Sequence, residues 1–471
     1  MTDTRTSPGA SQKGIWTVGT LVYTTSGIIV LFAWLVLGDF AWWMRERSVT
    51  PMASWYLTHI EVPNIVFGLM ITSLPALIQL VVAPIVSVKS DRYRSRLGRR
   101  IPFLIVTTFI SMLGMLGLAV TPYIAAWVHD IVGPDSSLHI SVLSERVIAV
   151  ACFTVFWTAF EVAALASKPL FDGLVNDVVP RPLLGRFFGL FRAVGLLDGM
   201  VFNYWIMGLV PSHFTLILSV AGIFYGVAFI WVCFKVKEGE YPPPPPLAAA
   251  TSPFRGMTNS VRLYCKECFS HSYYLSVFTL IMVAGLCFMP VNIFSIPYAR
   301  NIGLSMDAYG KALALTYFIS LCLAFPLGWL ADKFHPLRVG MVWLGCYIAL
   351  SIWAGMFANT SENFLIALVL HGVISGSYYT SAASTLQQHL FPRKNFAQFS
   401  SASLIFASVA TFCLAPLMGS LIDATGGNYR YTFVISAFLA ALALASAAYV
   451  YVRFKRLGGQ ANYVAPEYDV S

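Results

Sequence analysis

The chain has 471 residues, of which 58% are hydrophobic and only 11% are charged, and its mean hydropathy is +0.72. In a soluble domain about a quarter of all residues are charged, so this composition excludes a soluble globular protein. It predicts instead an all-α polytopic membrane protein. The net charge of +9 does not indicate a nucleic-acid-binding protein. The Lys and Arg residues lie in short loops between apolar runs, where the positive-inside rule expects them.

Twelve runs of about twenty mainly apolar residues, each bounded by charges, proline or glycine, predict twelve transmembrane helices. They lie at 17–43, 64–88, 101–125, 147–172, 184–209, 213–235, 273–298, 308–331, 337–358, 363–388, 397–422 and 430–452. Counts of Lys and Arg set the orientation. On the side of the termini there are 24, and the opposite loops hold 6, among them Arg45 and Arg47. Both termini are therefore predicted to lie in the cytoplasm.

The longest segment between predicted helices lies at the centre of the chain. It contains Tyr241 and a run from Pro242 to Pro246, and a proline run forms a stiff extended spacer rather than a packed element. This spacer predicts an N-terminal six-helix half over residues 1–236, a cytoplasmic linker over 237–272, and a C-terminal six-helix half with a cytoplasmic tail over 273–471. The polar first fourteen residues precede an apolar run too long for a signal-peptide core, so we expect the N-terminus to be retained.

Each half carries one basic turn at an equivalent position. In the first turn Ser87 is followed by Asp91 and several Arg, and in the second Gly328 is followed by Asp332 and Lys333. A small residue lets two helices approach, while the acid can cap a helix or pair with Arg across the bundle. The same basic residues would also gather in a cytoplasmic loop without any gating role. The residues predicted to form the gates are Asp91, Arg92, Arg96, Gly98, Arg99, Arg100, Gly328, Asp332, Lys333 and Arg338.

These turns resemble the G-x-x-x-D-R-x-G-R-R signature of the major facilitator superfamily. The stretch from Pro84 to Phe103 is similar, without gaps, to sucrose:proton symporters and to glycoside–pentoside–hexuronide cation symporters, except that Ser87 stands where these families have Gly. Residues 161–177 can be laid without gaps on the fourth helix of the sucrose symporters, and residues 185–195 resemble their fifth-helix pattern. The resemblance implies the major facilitator fold, with two pseudo-symmetric six-helix halves, and transport of a sugar or glycoside by alternating access.

Of the acidic side chains within predicted membrane helices, three are candidate functional residues, because an ionisable group there costs several kcal/mol. Glu161 lies about fourteen residues into the fourth helix and Asp198 at a similar depth in the fifth, whereas Asp39 lies near the outer end of the first. We predict proton coupling through these three acids. The resemblance implies that Glu161 occupies the acidic position tied to coupling in the sucrose symporters. The alternative is that the acids are structural partners of Lys168 and Arg192.

The second predicted helix bears on the coupling ion. Melibiose-type relatives carry two Asp there, at positions where this chain has Gln79 and Ala83, and the resemblance therefore favours a proton over sodium. Interior amides and aromatic rings suit the hydroxyls and faces of sugars near the membrane midplane. Asp39 could equally lie at the interface beside two Trp, and His371 could be a hydrogen-bonding core residue. The predicted substrate ligands are Asp39, Gln79, Asn203, Asn292, His371, Tyr378 and Tyr379.

The sequence thus predicts a proton-coupled symporter of a sugar or glycoside, a monomer in the bacterial inner membrane that contacts its substrate and the lipid bilayer. An enzyme is not expected, because the chain lacks H-E-x-x-H, G-x-S-x-G and phosphate-loop motifs. Cys265 and Cys268 form an isolated C-x-x-C pair, so neither a metal site nor another cofactor is predicted. Two alternatives remain open: an exporter of amphipathic small molecules on the same fold, and a non-transporting membrane assembly or pigment-delivery factor.

Overall fold

The residues described by the computed structural model are 15–132, 144–241, 266, 268–392 and 396–466. Within them, eleven helical stretches are long and apolar enough to cross a membrane. The stretch Arg181–Lys235 has 55 residues, about 80 Å at 1.5 Å per residue, which is long enough for two crossings. It is interrupted by a π turn, a 3₁₀ turn and non-helical backbone at His213. The predicted all-α membrane fold with twelve spanning helices is therefore confirmed.

A short antiparallel hairpin precedes the first helix and pairs Ile15–Val18 (β1) with Leu21–Thr24 (β2). The helices of the first six crossings are α1 (Thr25–His59), α2 (Asn64–Gly68), α3 (Leu74–Arg92), α4 (Ile101–Val132), α5 (Glu145–Val178), α6 (Arg181–Val201) and α7 (Val210–Lys235). The later helices are α8 (Ser272–Leu286), α9 (Met289–Asn301), α10 (Met306–Lys333), α11 (Pro336–Phe357), α12 (Ser361–Tyr378), α13 (Ser384–Leu390), α14 (Phe396–Ala424), α15 (Tyr431–Arg456) and α16 (Gly459–Asn462). Turns of π-helix occur at Leu69–Ser73, Phe202–Ile206 and Tyr379–Ala383.

The first helix differs most from its prediction. It was expected at 17–43, but the hairpin occupies the beginning of that range and α1 continues to His59. Arg45 and Arg47, which were predicted in an outside loop, lie within α1. The prediction ended the helix at these charges, whereas the structure buries Arg45 and half-buries Arg47. Asp39 is fourteen residues from the start of α1 and twenty from its end, so it lies near the middle of the helix rather than at its outer end.

The chain packs as two compact units. The described residues of Met1–Met52, Val81–Gly199 and His213–Pro245 form unit 1, and those of Ala53–Leu80, Met200–Ser212 and Pro246–Ser471 form unit 2. Two segments of the first six crossings therefore pack in unit 2. The division of the chain into halves at residues 236 and 272 stays a prediction. The Pro242–Pro246 run and Cys265 lie outside the described residues.

In unit 1, α4 and α5 pack closely along their length. A Cβ added at Gly114 of α4 would lie 2.8 Å from the Cβ of Phe160, and one added at Gly117 would overlap the ring of Phe156. Small residues at such positions let membrane helices approach until their backbones nearly touch. This packing holds α5, which carries Glu161, at a defined distance from its neighbours.

In unit 2, the beginning of α2 is joined to the end of α14. The Asp423 carboxylate accepts hydrogen bonds from the backbone N–H groups of Asn64 and the next residue, at 3.1 and 3.0 Å, and from the Asn64 side chain at 2.8 Å. A carboxylate at a helix N-terminus satisfies N–H groups that have no partner within the helix. One turn further along, a Cβ added at Gly68 would lie 2.6 Å from the carbonyl oxygen of Ala415.

Candidate functional site

A cavity of about 170 Å³ lies among α1, α5 and α6 of unit 1. Lys168 pairs with Asp172 at 3.4 Å, and its Nζ lies 4.8 Å from the centre of the Trp42 ring. Asp39 is 5% exposed and lies within electrostatic reach of Lys168 and Asp172. The cavity therefore offers both signs of charge beside aromatic faces. Its lining residues are Asp39, Trp42, Trp43, Lys168, Phe171, Asp172, Phe188, Phe191 and Arg192.

A buried arginine lies next to the predicted coupling residue of α5. Arg45 is 1% exposed, and its guanidinium donates to the hydroxyl oxygens of Ser167 and Tyr225, each at 3.3 Å. It also lies 3.5 Å from the Glu46 carboxylate. Glu161 is 7% exposed and lies within electrostatic reach of Arg45. An arginine this deeply buried requires acceptors and a counter-charge. Ser167 and Tyr225 accept hydrogen bonds from one guanidinium nitrogen, and Glu46 is the carboxylate in contact with another.

The charged neighbours of Glu161 differ from those in the alternative that made the acids structural partners of Lys168 and Arg192. Glu161 lies within electrostatic reach of Glu46 and Arg45, whereas Lys168 pairs with an acid one turn further along α5. Seven residues separate Glu161 from Lys168, which is about 10 Å along a helix. Sequence reasoning missed Arg45 because its position after the apolar run was read as a loop.

The surroundings of Asp198 also differ from that alternative. Asp198 is 4% exposed and lies within electrostatic reach of Arg47, while Arg192 lines the cavity that contains Asp39. One carboxylate oxygen of Asp39 and one of Asp198 are buried and accept no hydrogen bond from the described part of the chain. Burying such an oxygen costs more free energy when the carboxyl group is charged than when it is protonated.

A second cavity, of about 300 Å³, lies in unit 2 beside the π turn that follows α12. Tyr378 is buried and Tyr379 is exposed, and their ring centres lie 5.5 and 5.7 Å from that of Phe288. The Gln387 side chain accepts a hydrogen bond from Ser400 at 2.8 Å. Turns of π-helix occur frequently at functional sites. The lining residues are Ile281, Gly285, Tyr378, Tyr379, Ala383, Ser384, Leu386 and Gln387.

The other predicted ligands take different positions in unit 2. His371 is 2% exposed, and its Nε2 lies 3.0 Å from Oδ1 of Asn292, a residue of α9 that is exposed. Asn203 is buried in the π turn after α6, and Gln79 is half-buried on α3. The structure thus joins His371 to Asn292 and places both amide residues of the first six crossings in segments that pack in unit 2.

The first basic turn forms a cluster of ion pairs in unit 1. Arg99 contacts the Asp177 carboxylate through its Nη2 at 2.9 Å, and Arg100 contacts it through Nε at 2.7 Å. Asp91 lies 3.2 Å from Arg100 and 3.7 Å from Arg99. Asp177 was not predicted as a member, although the stretch compared with the sucrose symporters ends on it. The cluster joins the ends of α3 and α5 to the start of α4.

The N-terminus of α4 is capped by a residue that follows the sixth crossing. The Glu238 carboxylate accepts hydrogen bonds from the backbone N–H groups of Arg99, Arg100 and Ile101, at 3.0, 2.8 and 2.8 Å. Gly98 has φ +108°, and a Cβ there would lie 2.5 Å from the Glu238 carboxyl carbon. Two roles were open for the acid of this turn. Asp91 takes the second, since its partners are arginine side chains, and the cap is supplied by Glu238.

Replacing Glu238 by Ala is expected to lower the stability of the protein. Three N–H groups at the start of α4 would lose their shared acceptor, and the loss of a helix cap costs about 1 kcal/mol. Glu240→Ala is the matched control, because Glu240 contributes its backbone N–H to a hydrogen bond with Thr20 rather than its side chain. Thermal melts of the purified protein in detergent would measure both. Equal melting temperatures for the two variants would contradict the capping role.

The second basic turn is built differently. Lys333 lies over Trp329, with Nζ 4.6 Å from the ring centre, and Arg338 donates from Nε to the Tyr451 hydroxyl at 2.6 Å. A Cβ added at Gly328 meets no atom within 4 Å in the described part of the structure. No neighbouring helix in that part approaches Gly328 closely enough to require a glycine. The side chains of Ser87 and Asp332 lie outside the described residues. In the first turn, Arg92 is half-buried and Arg96 is exposed.

His335, at the start of α11 in the second turn, is expected to make the protein sensitive to acid. Its Nδ1 accepts a hydrogen bond from the Leu337 N–H. Burial, and then the positive charges of His389 and Arg338, lower the pKa of His335 to about 4. Between that value and the ordinary histidine pKa of about 6.5, the unfolded chain binds a proton that the folded chain does not. Proton uptake by the unfolded chain lowers the free energy of unfolding. The protein therefore keeps its full stability with respect to His335 above pH of about 6.5 and loses stability as the pH falls towards 4.

His335→Asn tests this pH dependence. Asn is a good capping residue that accepts the same N–H hydrogen bond, but it does not titrate. We expect the melting temperature of the wild-type protein to fall by several degrees more than that of His335→Asn when the pH is lowered from neutral to mildly acidic values. Parallel pH profiles for the two proteins would show that His335 does not contribute to the acid sensitivity.

Comparisons with known proteins agree with this architecture. A family model described as Major Facilitator Superfamily matches residues 275–462, and no curated protein sequence matches the chain. Among solved structures, the D-xylose-proton symporter is 11% identical, with a TM-score of 0.64 over 89% of this chain and 97% of that one. A bacterial homologue of the human lysosomal transporter Spinster, inward-facing and unoccupied, is 13% identical, with a TM-score of 0.66 over 93% of this chain and 99% of that one.

The nucleoside transporter NupG is similar over the same extent. It is 10% identical, with a TM-score of 0.61 over 89% of this chain and 98% of that one. At such identities the similarity concerns the fold. Together with the twelve spanning helices and the family match in the second half of the chain, these structures show that the protein has the major facilitator fold.

Proposed function

We propose that the protein is a major facilitator transporter that moves a sugar or glycoside across the membrane by alternating access, together with a proton. The observation that carries this proposal is the burial of Glu161 in unit 1, with the charges of Glu46 and Arg45 within electrostatic reach. A carboxylate next to a buried arginine releases or binds a proton when that arginine approaches or withdraws. Such a pair can therefore link a change in packing to proton transfer.

The other two acids of unit 1 support the proton as coupling ion. Asp39 and Asp198 are buried, and each has an oxygen without a hydrogen-bond donor among the described residues. A protonated carboxyl group is neutral and is tolerated in such a position, whereas the charged form is costly. We assign Glu161 as the first candidate for the proton carrier, with Asp198 and Asp39 as further candidates.

The sugar part of the proposal depends on the two cavities. Aromatic rings next to hydrogen-bonding side chains suit the apolar faces and the hydroxyl groups of a saccharide. The cavity of unit 2 has Tyr378, Tyr379 and Gln387, and that of unit 1 has two Trp beside Asp39. The resemblance of the first basic turn to sucrose and glycoside symporters supports the same substrate class. A D-xylose-proton symporter with the same fold shows that the fold can perform such transport.

The remaining assignments complete this proposal. The two basic turns act as gates, and the two six-helix halves alternate in exposing the substrate. The protein is a monomer in the bacterial inner membrane, with both termini in the cytoplasm. Its partners are the saccharide and the lipid bilayer, and a proton is its coupling ion in place of any cofactor.

Uptake into proteoliposomes would test the proposal. The purified protein would be reconstituted, and the uptake of labelled D-xylose, sucrose, melibiose and maltose would be measured with and without an inward proton gradient. We expect one or more of these sugars to accumulate with the gradient, and a protonophore to abolish the accumulation. Uptake that is the same with and without the gradient would refute coupling. Uptake no greater than in empty liposomes, from protein with an intact thermal melt, would refute the sugar assignment.

A further inference from the structure

Three polar residues form a continuous hydrogen-bonded chain in the core of unit 2. The Tyr347 hydroxyl lies 2.9 Å from Nδ1 of His371, and Nε2 of His371 lies 3.0 Å from Oδ1 of Asn292. Tyr347 and His371 are 0% and 2% exposed, whereas Asn292 is exposed. This series of hydrogen bonds therefore begins in the core at Tyr347 of α11, passes through His371 of α12 and ends at the surface at Asn292 of α9.

The proton positions along these hydrogen bonds follow from the last acceptor, which is Oδ1 of Asn292. An amide oxygen only accepts hydrogen bonds, so Nε2 of His371 must carry the hydrogen that it shares with Asn292. In a neutral imidazole the other nitrogen is then an acceptor, and the Tyr347 hydroxyl donates to it. The ring of Phe288 covers the pair, with ring centres 4.5 Å from Tyr347 and 6.2 Å from His371. An apolar cover of this kind favours the uncharged ring.

The orientation of the Asn292 amide is a consequence of this arrangement. Because Oδ1 is held by His371, the NH₂ group with its two donors is directed away from the histidine. Both ring nitrogens of His371 are already hydrogen-bonded, so the exposed group available to a ligand belongs to Asn292. Phe288, four residues before Asn292 along the chain, lies 5.7 Å from Tyr379 between ring centres, and Tyr379 lines the cavity of unit 2.

We propose that Tyr347 and His371 are positioning residues that lock the amide of Asn292 with its NH₂ group outward, where it donates a hydrogen bond to an oxygen of the transported saccharide. This inference rests on the proposed function. It assigns to Asn292 the recognition of an acceptor, such as a hydroxyl or ring oxygen. It also assigns to His371 a role in specificity through Asn292, in place of direct contact with the substrate.

The first experiment determines the tautomer and needs no substrate. Protein labelled with ¹⁵N-histidine would be examined by NMR in nanodiscs, and the His371 signals would be identified by their loss in His371→Gln. We expect a neutral ring protonated at Nε2 at neutral and mildly acidic pH, and a shifted Nδ1 signal in Tyr347→Phe, which lacks the donor. A ring protonated at Nδ1, or at both nitrogens, would overturn the proposal, because the Asn292 amide would not be locked as described.

The second experiment measures saccharide binding by thermal shift and by the KM of uptake, with D-xylose, sucrose, melibiose and maltose as probes. Asn292→Asp keeps an acceptor for His371 but replaces the outward NH₂ group with oxygen, and we expect it to weaken binding about tenfold, the worth of one hydrogen bond. His371→Phe keeps the ring and is expected to raise KM by a similar factor without changing the maximal rate of exchange.

A double variant separates positioning from a general effect on folding. If His371 acts through Asn292, adding His371→Phe to Asn292→Ala is expected to weaken binding no further than Asn292→Ala alone. Additive losses would overturn the proposal, as would wild-type binding by Asn292→Asp. If none of the four sugars binds the wild-type protein, the proposed function fails for them, while the tautomer measurement still decides whether Asn292 is locked.

Discussion

Glu161→Gln is expected to reduce proton-driven accumulation of substrate to the level of empty liposomes. Gln keeps the size of the side chain and its ability to form hydrogen bonds, but it cannot bind or release a proton. Glu161 is buried and within electrostatic reach of Arg45, whose contacting carboxylate, that of Glu46, is exposed. The charged form of Glu161 is therefore a buried counter-charge for Arg45 in addition to Glu46. With a permanently neutral residue at this position, movement of the arginine no longer requires a proton.

Exchange of substrate distinguishes this loss of coupling from a loss of folding. Liposomes preloaded with unlabelled sugar would be given labelled sugar without a proton gradient, and Glu161→Gln is expected to exchange it at a rate comparable with the wild-type protein. Glu145→Gln is the matched control, because Glu145 is exposed in the first turn of the same helix. Full accumulation by Glu161→Gln would move the coupling role to Asp198 or Asp39, which the corresponding Asn variants would test.

The spanning helices could be predicted from the sequence because a membrane helix must be apolar over about twenty residues and satisfies its own backbone. The exception was α1, which continues through Arg45 and Arg47. These charges are tolerated inside a helix because of distant partners: the Tyr225 hydroxyl that contacts Arg45 belongs to a residue 180 positions away. A local pattern contains no information on such a contact, so the charges were read as the end of the helix.

The candidate residues were easier to find than their partners. Asp39, Glu161 and Asp198 are conspicuous in apolar runs, and all three are buried in the structure. Pairings are set by the fold, and acids at helix ends look alike in a sequence. The contacts of Arg99 with Asp177 and of Glu238 with the start of α4 join segments 78 and 139 residues apart, and no spacing rule selects them.

Gly419→Ala is expected to destabilise the protein by about 2 kcal/mol, the usual cost of forcing extra atoms into a packed interior. A Cβ at Gly419 of α14 would overlap the backbone carbonyl group of Asn64 at the start of α2. A backbone group cannot rotate away as a side chain can, so the two helices must separate. Separation would also strain the hydrogen bonds that the Asp423 carboxylate makes to Asn64.

Gly345→Ala makes the same substitution in another helix interior, where we expect the protein to become more stable instead of less stable. A Cβ at Gly345 of α11 meets no atom within 4 Å in the described part of the chain, and Ala stabilises a helix over Gly by up to about 1 kcal/mol. Melting temperatures in detergent would compare the two variants. A rise for both would mean that α2 and α14 do not touch at Gly419 in the folded protein. A fall for Gly419→Ala alone assigns the loss to that backbone contact, since the intrinsic effect of the added methyl group is shared.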